Sequence, residues 1–201
     1  MIKVILFDAD GVVIKPHKYF SERFAKEFAV DPEKIAHFFK EIFPRCLLGQ
    51  TDLKQEIAKL LPEWRWNGTA EELLEYWFSG ERETDEDVLQ YIDDARSQGV
   101  KCYLVSDQEQ YRAEYILNTM RLAERFDGAF FSYSVGFRKS DKEFFEYVLD
   151  RIGDIRPMEI LYVDDDEKNI MVAESVGICA RLYTSFRDFK NKDGDTTLKK
   201  S

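Results

Sequence analysis

The sequence is poor in the residues that build soft-metal centres and covalent staples. It has 3 cysteines among 201 residues, and Cys46, Cys102 and Cys179 are widely separated. The lack of a CxxC pair argues against a zinc site. The odd count without a disulfide pattern fits a reducing compartment. Cys102 and Cys179 lie in apolar, strand-like runs and are expected to be buried. The 2 histidines, His17 and His37, are expected on the surface or in packing rather than in catalysis. Long hydrophobic runs are also missing. No apolar stretch approaches membrane-spanning length, and the apolar opening meets Asp8 too soon for a secretory signal. The expectation is a soluble, cytoplasmic protein with no membrane partner. Positive charge is in deficit: 29 Lys and Arg against 39 Asp and Glu leave a net charge of -10. Such a field repels phosphate backbones and disfavours nucleic acid as a partner. A site for an anion then needs local positive charge from a metal ion, a lysine or helix N-termini.

What is present is a globular balance, 44% hydrophobic and 34% charged, with 14% aromatics that include 16 Phe. That aromatic content implies a well-filled core or an aromatic-lined cleft. Residues 2–7 read as a buried strand ending in an acidic, glycine-containing turn. A helix-rich stretch follows. Asp31-Pro32-Glu33 marks one helix start, Thr51 another, and Thr69-Ala70-Glu71-Glu72 a capping box. The aromatics Phe20, Phe24, Phe28, Phe38, Phe39 and Phe43 mostly recur at helical spacing and are expected to form that stretch's own core. Arg45, in an expected loop over 44–50, is a weaker candidate for reaching an anionic substrate.

From about Thr84 the rhythm changes to strands alternating with helices. Strands are expected over 100–105, 128–131, 160–163 and 179–183. Helices are expected over 85–97, 110–120, from Ser140 (a second capping box) to 152, and over 167–176; the tail from Asn191 is polar and expected to fray. The pattern implies a parallel sheet covered by helices, a doubly wound α/β fold. The domain expectation is a Rossmann-like core from residues 1–15 and 84–201, with a helical cap of residues 16–83 inserted after the first strand.

Parallel sheets bind ligands at the C-terminal ends of their strands. Asp8 and Asp10 follow the first apolar run, Ser106 and Asp107 the second long one, and Asp164, Asp165 and Asp166 the run at 160–163. Lys139 stands beside a helix start. Clustered carboxylates become tolerable around a divalent cation, and hard oxygen ligands without Cys or His suit Mg²⁺.

These segments resemble the haloacid dehalogenase superfamily in its phosphatase form. Phe7-Asp8-Ala9-Asp10-Gly11-Val12-Val13 looks like the first motif. Leu104-Val105-Ser106 is similar to the second, Lys139 to the third-motif lysine, and Ile160-Leu161-Tyr162-Val163-Asp164-Asp165, with Asn169 and Gly177, to the fourth. The helical cap resembles the family's C1 type. The resemblance implies that Asp8 is the nucleophile, forming an aspartyl-phosphate, and that Asp10 is the acid and base. It implies Mg²⁺ held by Asp8, the Asp10 carbonyl and Asp164, with Asp165 supporting. Ser106, the Asp107 backbone N–H and Lys139 would bind the phosphoryl group.

Two positions depart from the pattern. Asp107 stands where Asn is common, so its carboxylate would repel phosphate unless it points away or serves the substrate's polar end. Ser140 stands where Pro is common, and is expected to cap the next helix. The implied activity is a Mg-dependent phosphatase acting on a small phosphorylated metabolite. The alternatives are a 2-haloacid dehalogenase, a phosphomutase, or a non-catalytic binding relative.

Overall fold

The computed structural model describes residues 1–15 and 19–193. β1 (Val4–Asp8) leads into a helical insert made of α1 (Phe20–Phe28), α2 (Pro32–His37), α3 (Phe43–Leu47), α4 (Leu53–Leu60) and α5 (Ala70–Ser79). A π-helical turn, Phe38–Ile42, joins α2 to α3. The chain then runs through α6 (Glu86–Ser97), β2 (Lys101–Ser106), α7 (Gln110–Glu114), β3 (Gly128–Phe131), α8 (Ser132–Val135), α9 (Lys142–Ile152), β4 (Ile160–Asp164), α10 (Glu167–Ser175), β5 (Cys179–Leu182) and α11 (Phe186–Asp193). Of the tail expected to fray, residues 191–193 close α11 and the remainder lies outside the described residues. His17 lies outside them too.

The five strands form one parallel sheet in the order β3-β2-β1-β4-β5. The chain steps outward from β1 through β2 to β3, then returns to the other side of β1 for β4. That reversal opens a crevice at the carboxyl ends of β1 and β4, where a doubly wound sheet holds its ligand. Register fixes who meets there: Asp8 lies opposite Val105, Phe7 opposite Val163, and Asp164 opposite Leu182. Asp8, Ser106 and Asp164 thus end three adjacent strands.

β1 and β4 are buried along their whole length because helices cover both faces, which explains their unbroken apolar runs. On one face Ile5, Phe7, Leu104 and Val163 pack with Val88 and Ile92 of α6. On the other, Val4, Leu6 and Tyr162 pack with Phe144, Phe145 and Val148 of α9. β5 is the thin edge, and Cys179, expected to be buried, is exposed there. An edge strand has no second neighbour to cover it.

The insert has a separate core in which Phe20, Phe24, Phe38 and Trp64 are almost fully enclosed. Phe28, Phe39 and Phe43 are only partly buried around it. Local starts follow side-chain chemistry. Asp31 accepts from the Glu33 backbone N–H at 3.0 Å, and Thr69 with Glu72 closes the capping box. Two expected starts move by one residue. Asp52, not Thr51, caps α4 by accepting from Gln55 N–H at 2.8 Å, while the Thr51 hydroxyl donates to Glu56. Asp141, not Ser140, precedes α9, and its carboxylate turns back to Arg138 N–H at 3.0 Å. Arg45 sits in α3, exposed and away from the cavity described below, so it is not a candidate for the site.

Candidate active site

A cavity of about 620 Å³ opens above the carboxyl ends of β1, β2 and β4. Its lining includes every residue that the motif resemblance marked for catalysis, phosphate or metal: Asp8, Asp10, Ser106, Asp107, Lys139, Asp164 and Asp165.

Asp8 and Lys139 form the centre. Lys139 Nζ is 2.6 Å from Asp8 Oδ1 and 2.8 Å from Asp164 Oδ2, with all three side chains almost wholly buried. Burial raises the Asp8 pKa well above the ordinary carboxylate range; Lys139 works against that and Asp164 adds to it. For Lys139 burial opposes the charge, but Asp8, Asp164 and Asp107 outweigh it, so its pKa is raised and it stays protonated. Asp164 is fixed from several sides. It accepts from the Tyr162 hydroxyl, from Asn169 Nδ2 at 3.2 Å and from the Asp166 backbone N–H at 2.7 Å. Asp166 in turn caps α10 through Lys168 N–H.

Asp8, Asp164 and Asp165 each present a carboxylate oxygen within 4.8 Å of the others. Three carboxylates against one lysine leave the cluster with excess negative charge. Its donors are all hard oxygens, so this set suits Mg²⁺. Gly11 makes the approach possible. Its φ of 87° is left-handed, and a Cβ there would fall 2.1 Å from Asp165 Oδ2.

Asp10 stands outside this trio, its side chain about half exposed. Gln108 Nε2 donates to Asp10 Oδ2 at 2.6 Å and to Ser106 Oγ at 3.1 Å. Arg112 Nη2 lies 3.7 Å from Asp10 Oδ1. The same guanidinium donates to the backbone carbonyls of Phe78 and Glu81, where the insert rejoins the core. Asp107 does not aim its carboxylate at the cavity centre. It accepts from Lys139 N–H at 2.9 Å and from Arg138 Nε at 3.1 Å, fastening the loop that carries Lys139. Its extra charge is therefore spent on positioning, which resolves the question raised by its place in the second motif.

Sequence reading missed Gln108, Arg112 and Tyr162. Gln108 follows the second-motif serine by two residues, a spacing that could have flagged it. Arg112 carried no signal, because its partners are backbone groups more than 30 residues away. Tyr162 was hidden inside an apolar strand run.

Comparison with known proteins gives the family and the fold. A fungal relative, sesquiterpene phosphatase astK of Aspergillus oryzae, is 34% identical over 83 residues, 41% of this chain and 42% of that protein. The match therefore spans about two fifths of its length. The HAD family enzyme bt-2542 of Bacteroides thetaiotaomicron superposes with a TM-score of 0.83 at 21% identity, covering 95% of this chain and 98% of that one. That enzyme has also been crystallised with magnesium and inorganic phosphate. A HAD phosphatase from Thermococcus onnurineus superposes with a TM-score of 0.66 at 19% identity, covering 98% of this chain and 100% of that one. The model of the haloacid dehalogenase-like hydrolases matches residues 2–177, and the chain belongs to that family.

Proposed function

We propose that this hydrolase is a Mg²⁺-dependent phosphomonoesterase working through an aspartyl-phosphate on Asp8. The observation that carries this reading is the second acid. Asp10 lines the cavity, held by Gln108 and outside the Lys139 ion-pair cluster, where its carboxyl is available to a leaving group. A dehalogenase expels halide and needs neither that acid nor a metal cluster. The fungal phosphatase relative and the magnesium and phosphate complexes of bt-2542 support the same choice.

In the first step an Asp8 oxygen attacks phosphorus while the ester P–O bond breaks, and Asp10 gives its proton to the departing alkoxide. In the second, Asp10 takes a proton from water, the water oxygen attacks phosphorus, and the Asp8–phosphorus bond breaks to release inorganic phosphate. Lys139 and the Ser106 hydroxyl face the transferring group and offset its charge. Asp8, Asp164 and Asp165 would hold the cation together with the Asp10 carbonyl. The ion would supply the positive charge that lets an anionic nucleophile meet an anionic ester. Residues 16–83 would serve as a cap that excludes bulk water.

The test is hydrolysis of p-nitrophenyl phosphate by wild type and Asp8→Asn, with Mg²⁺ and with EDTA. Turnover is expected only in wild type with Mg²⁺. Metal-independent turnover, or an active Asp8→Asn protein, would refute the mechanism.

A further inference from the structure

The cavity has two unlike halves. The floor is charged and is supplied by the core. The roof is supplied by the insert and is aromatic. Phe20 stacks on Trp77 with ring centroids 4.6 Å apart, Phe39 and Phe43 meet Trp77 at 5.4 and 5.5 Å, and Phe78 adjoins it at 5.6 Å. The polar edges of this layer are already satisfied. Trp77 Nε1 donates to Glu81 Oε2 at 3.0 Å, and Phe20 N–H donates to Glu81 Oε1 at 2.8 Å.

Cations are equally committed. Among the described residues lining the cavity, the insert contributes no Lys or Arg. Arg112 is engaged with Phe78, Glu81 and Asp10, and Arg138 with Asp107. The floor thus has one place for one phosphoryl group. Above it, among the described lining residues, the insert adds no cation for a second phosphate; beside its rings it offers only the hydroxyls of Tyr19 and Ser21 and the Glu81 carboxylate. There is a ring layer in which Phe39 and Phe43 remain partly uncovered. A volume of about 620 Å³ is ample for a body of ten or more heavy atoms beyond the phosphate.

We propose that the substrate is the monophosphate of a bulky apolar alcohol, its hydrocarbon body lying against Phe39, Phe43 and Trp77, which set specificity. The inference rests on the phosphatase reading and refines it. Removing apolar surface from water favours each added methylene by roughly 0.8 kcal/mol, about a fourfold gain in kcat/KM while the chain still finds the roof.

The experiment is a series of n-alkyl monophosphates from ethyl to decyl, each below its micellar concentration, with glycerol phosphate as the polyol control and p-nitrophenyl phosphate as the reference. For wild type with Mg²⁺, kcat/KM is expected to rise two- to fourfold per methylene over several carbons, with decyl at least a hundredfold above ethyl. Phe43→Ala is expected to lower the decyl-to-ethyl ratio about tenfold. Phe43→Leu, which keeps most of the volume, should lower it less, and both variants are checked for unchanged melting. A flat series, or a preference for glycerol phosphate, in an enzyme that hydrolyses p-nitrophenyl phosphate overturns the substrate class and leaves the phosphatase reading standing. No hydrolysis of any ester overturns both.

Discussion

The floor and the roof of the cavity are built on opposite principles. The floor concentrates Asp8, Asp164 and Lys139 with almost no exposure, so each charge is held by a named partner and losing one leaves the others uncompensated. The roof rests on ring contacts that are individually weak and collectively large. Chemistry on the floor should therefore fail abruptly with single changes, while the roof should lose stability or selectivity by degrees.

The largest expected effect is on the floor. Asp10→Asn should lower kcat for an alkyl phosphate by about 10²–10⁴, the usual range for an acid–base group. On p-nitrophenyl phosphate, whose leaving group needs little protonation, the first step should be far less affected; burst kinetics separate the two steps. An equal loss in the first step on both esters would remove Asp10 from the acid role.

Lys139→Met should destabilise the protein by about 3–5 kcal/mol in EDTA, because it strands the Asp8 and Asp164 carboxylates. Mg²⁺ should raise the melting temperature of this variant by more than that of wild type, since the cation takes over the missing charge. Equal increments would contradict the charge-balance account.

On the roof side, Phe24→Ala opens a void in the insert's own core, away from the cavity lining. It should cost about 3–5 kcal/mol. The Mg²⁺-induced increment in unfolding free energy should stay as in wild type. A changed increment would show that the two halves are energetically linked.

The smallest effect concerns Glu109, which caps α7 between the halves and accepts from Tyr111 and Arg112 N–H. Burial pushes its pKa up to about 7, against 4.5 for a free glutamate. The folded state therefore holds this proton more tightly than the unfolded chain. The group's contribution is fully present below about pH 4.5 and is lost as pH rises through about 7, a span of order 3 kcal/mol. Glu109→Gln should flatten stability between pH 5 and 8, measured by urea unfolding; an unchanged slope would assign that pH dependence elsewhere.

The floor was legible in the sequence because strand ends are marked twice, by an apolar run stopping and by a polar residue following. Asp8, Ser106 and Asp164 carry both marks, and Lys139 was placed by its order among them. The roof was legible only as composition. The spacing of Phe20, Phe24 and Phe38 pointed correctly to a helical core. That Phe39 and Phe43 face the cavity depends on where the insert docks, which no local pattern encodes. Arg112 shows the same limit, since its role arises from carbonyls brought near by tertiary folding. Single-residue cap errors at Thr51 and Ser140 arose because the adjacent Asp competes for the same position.

Lys15 N–H donates to the Glu83 carbonyl at 2.8 Å, and Asp85 N–H to the Val13 carbonyl at 2.9 Å. The outgoing and returning chains are thus stitched together where the insert begins and ends. The stitch is not the insert's only tie: the Tyr111 hydroxyl donates to Asp52 at 2.5 Å and Tyr115 packs into the insert's aromatic cluster. Arg112 joins the two ends of that arrangement, donating to the Phe78 and Glu81 carbonyls while its guanidinium lies 3.7 Å from Asp10, so one side chain ties the position of the insert to a cavity carboxylate.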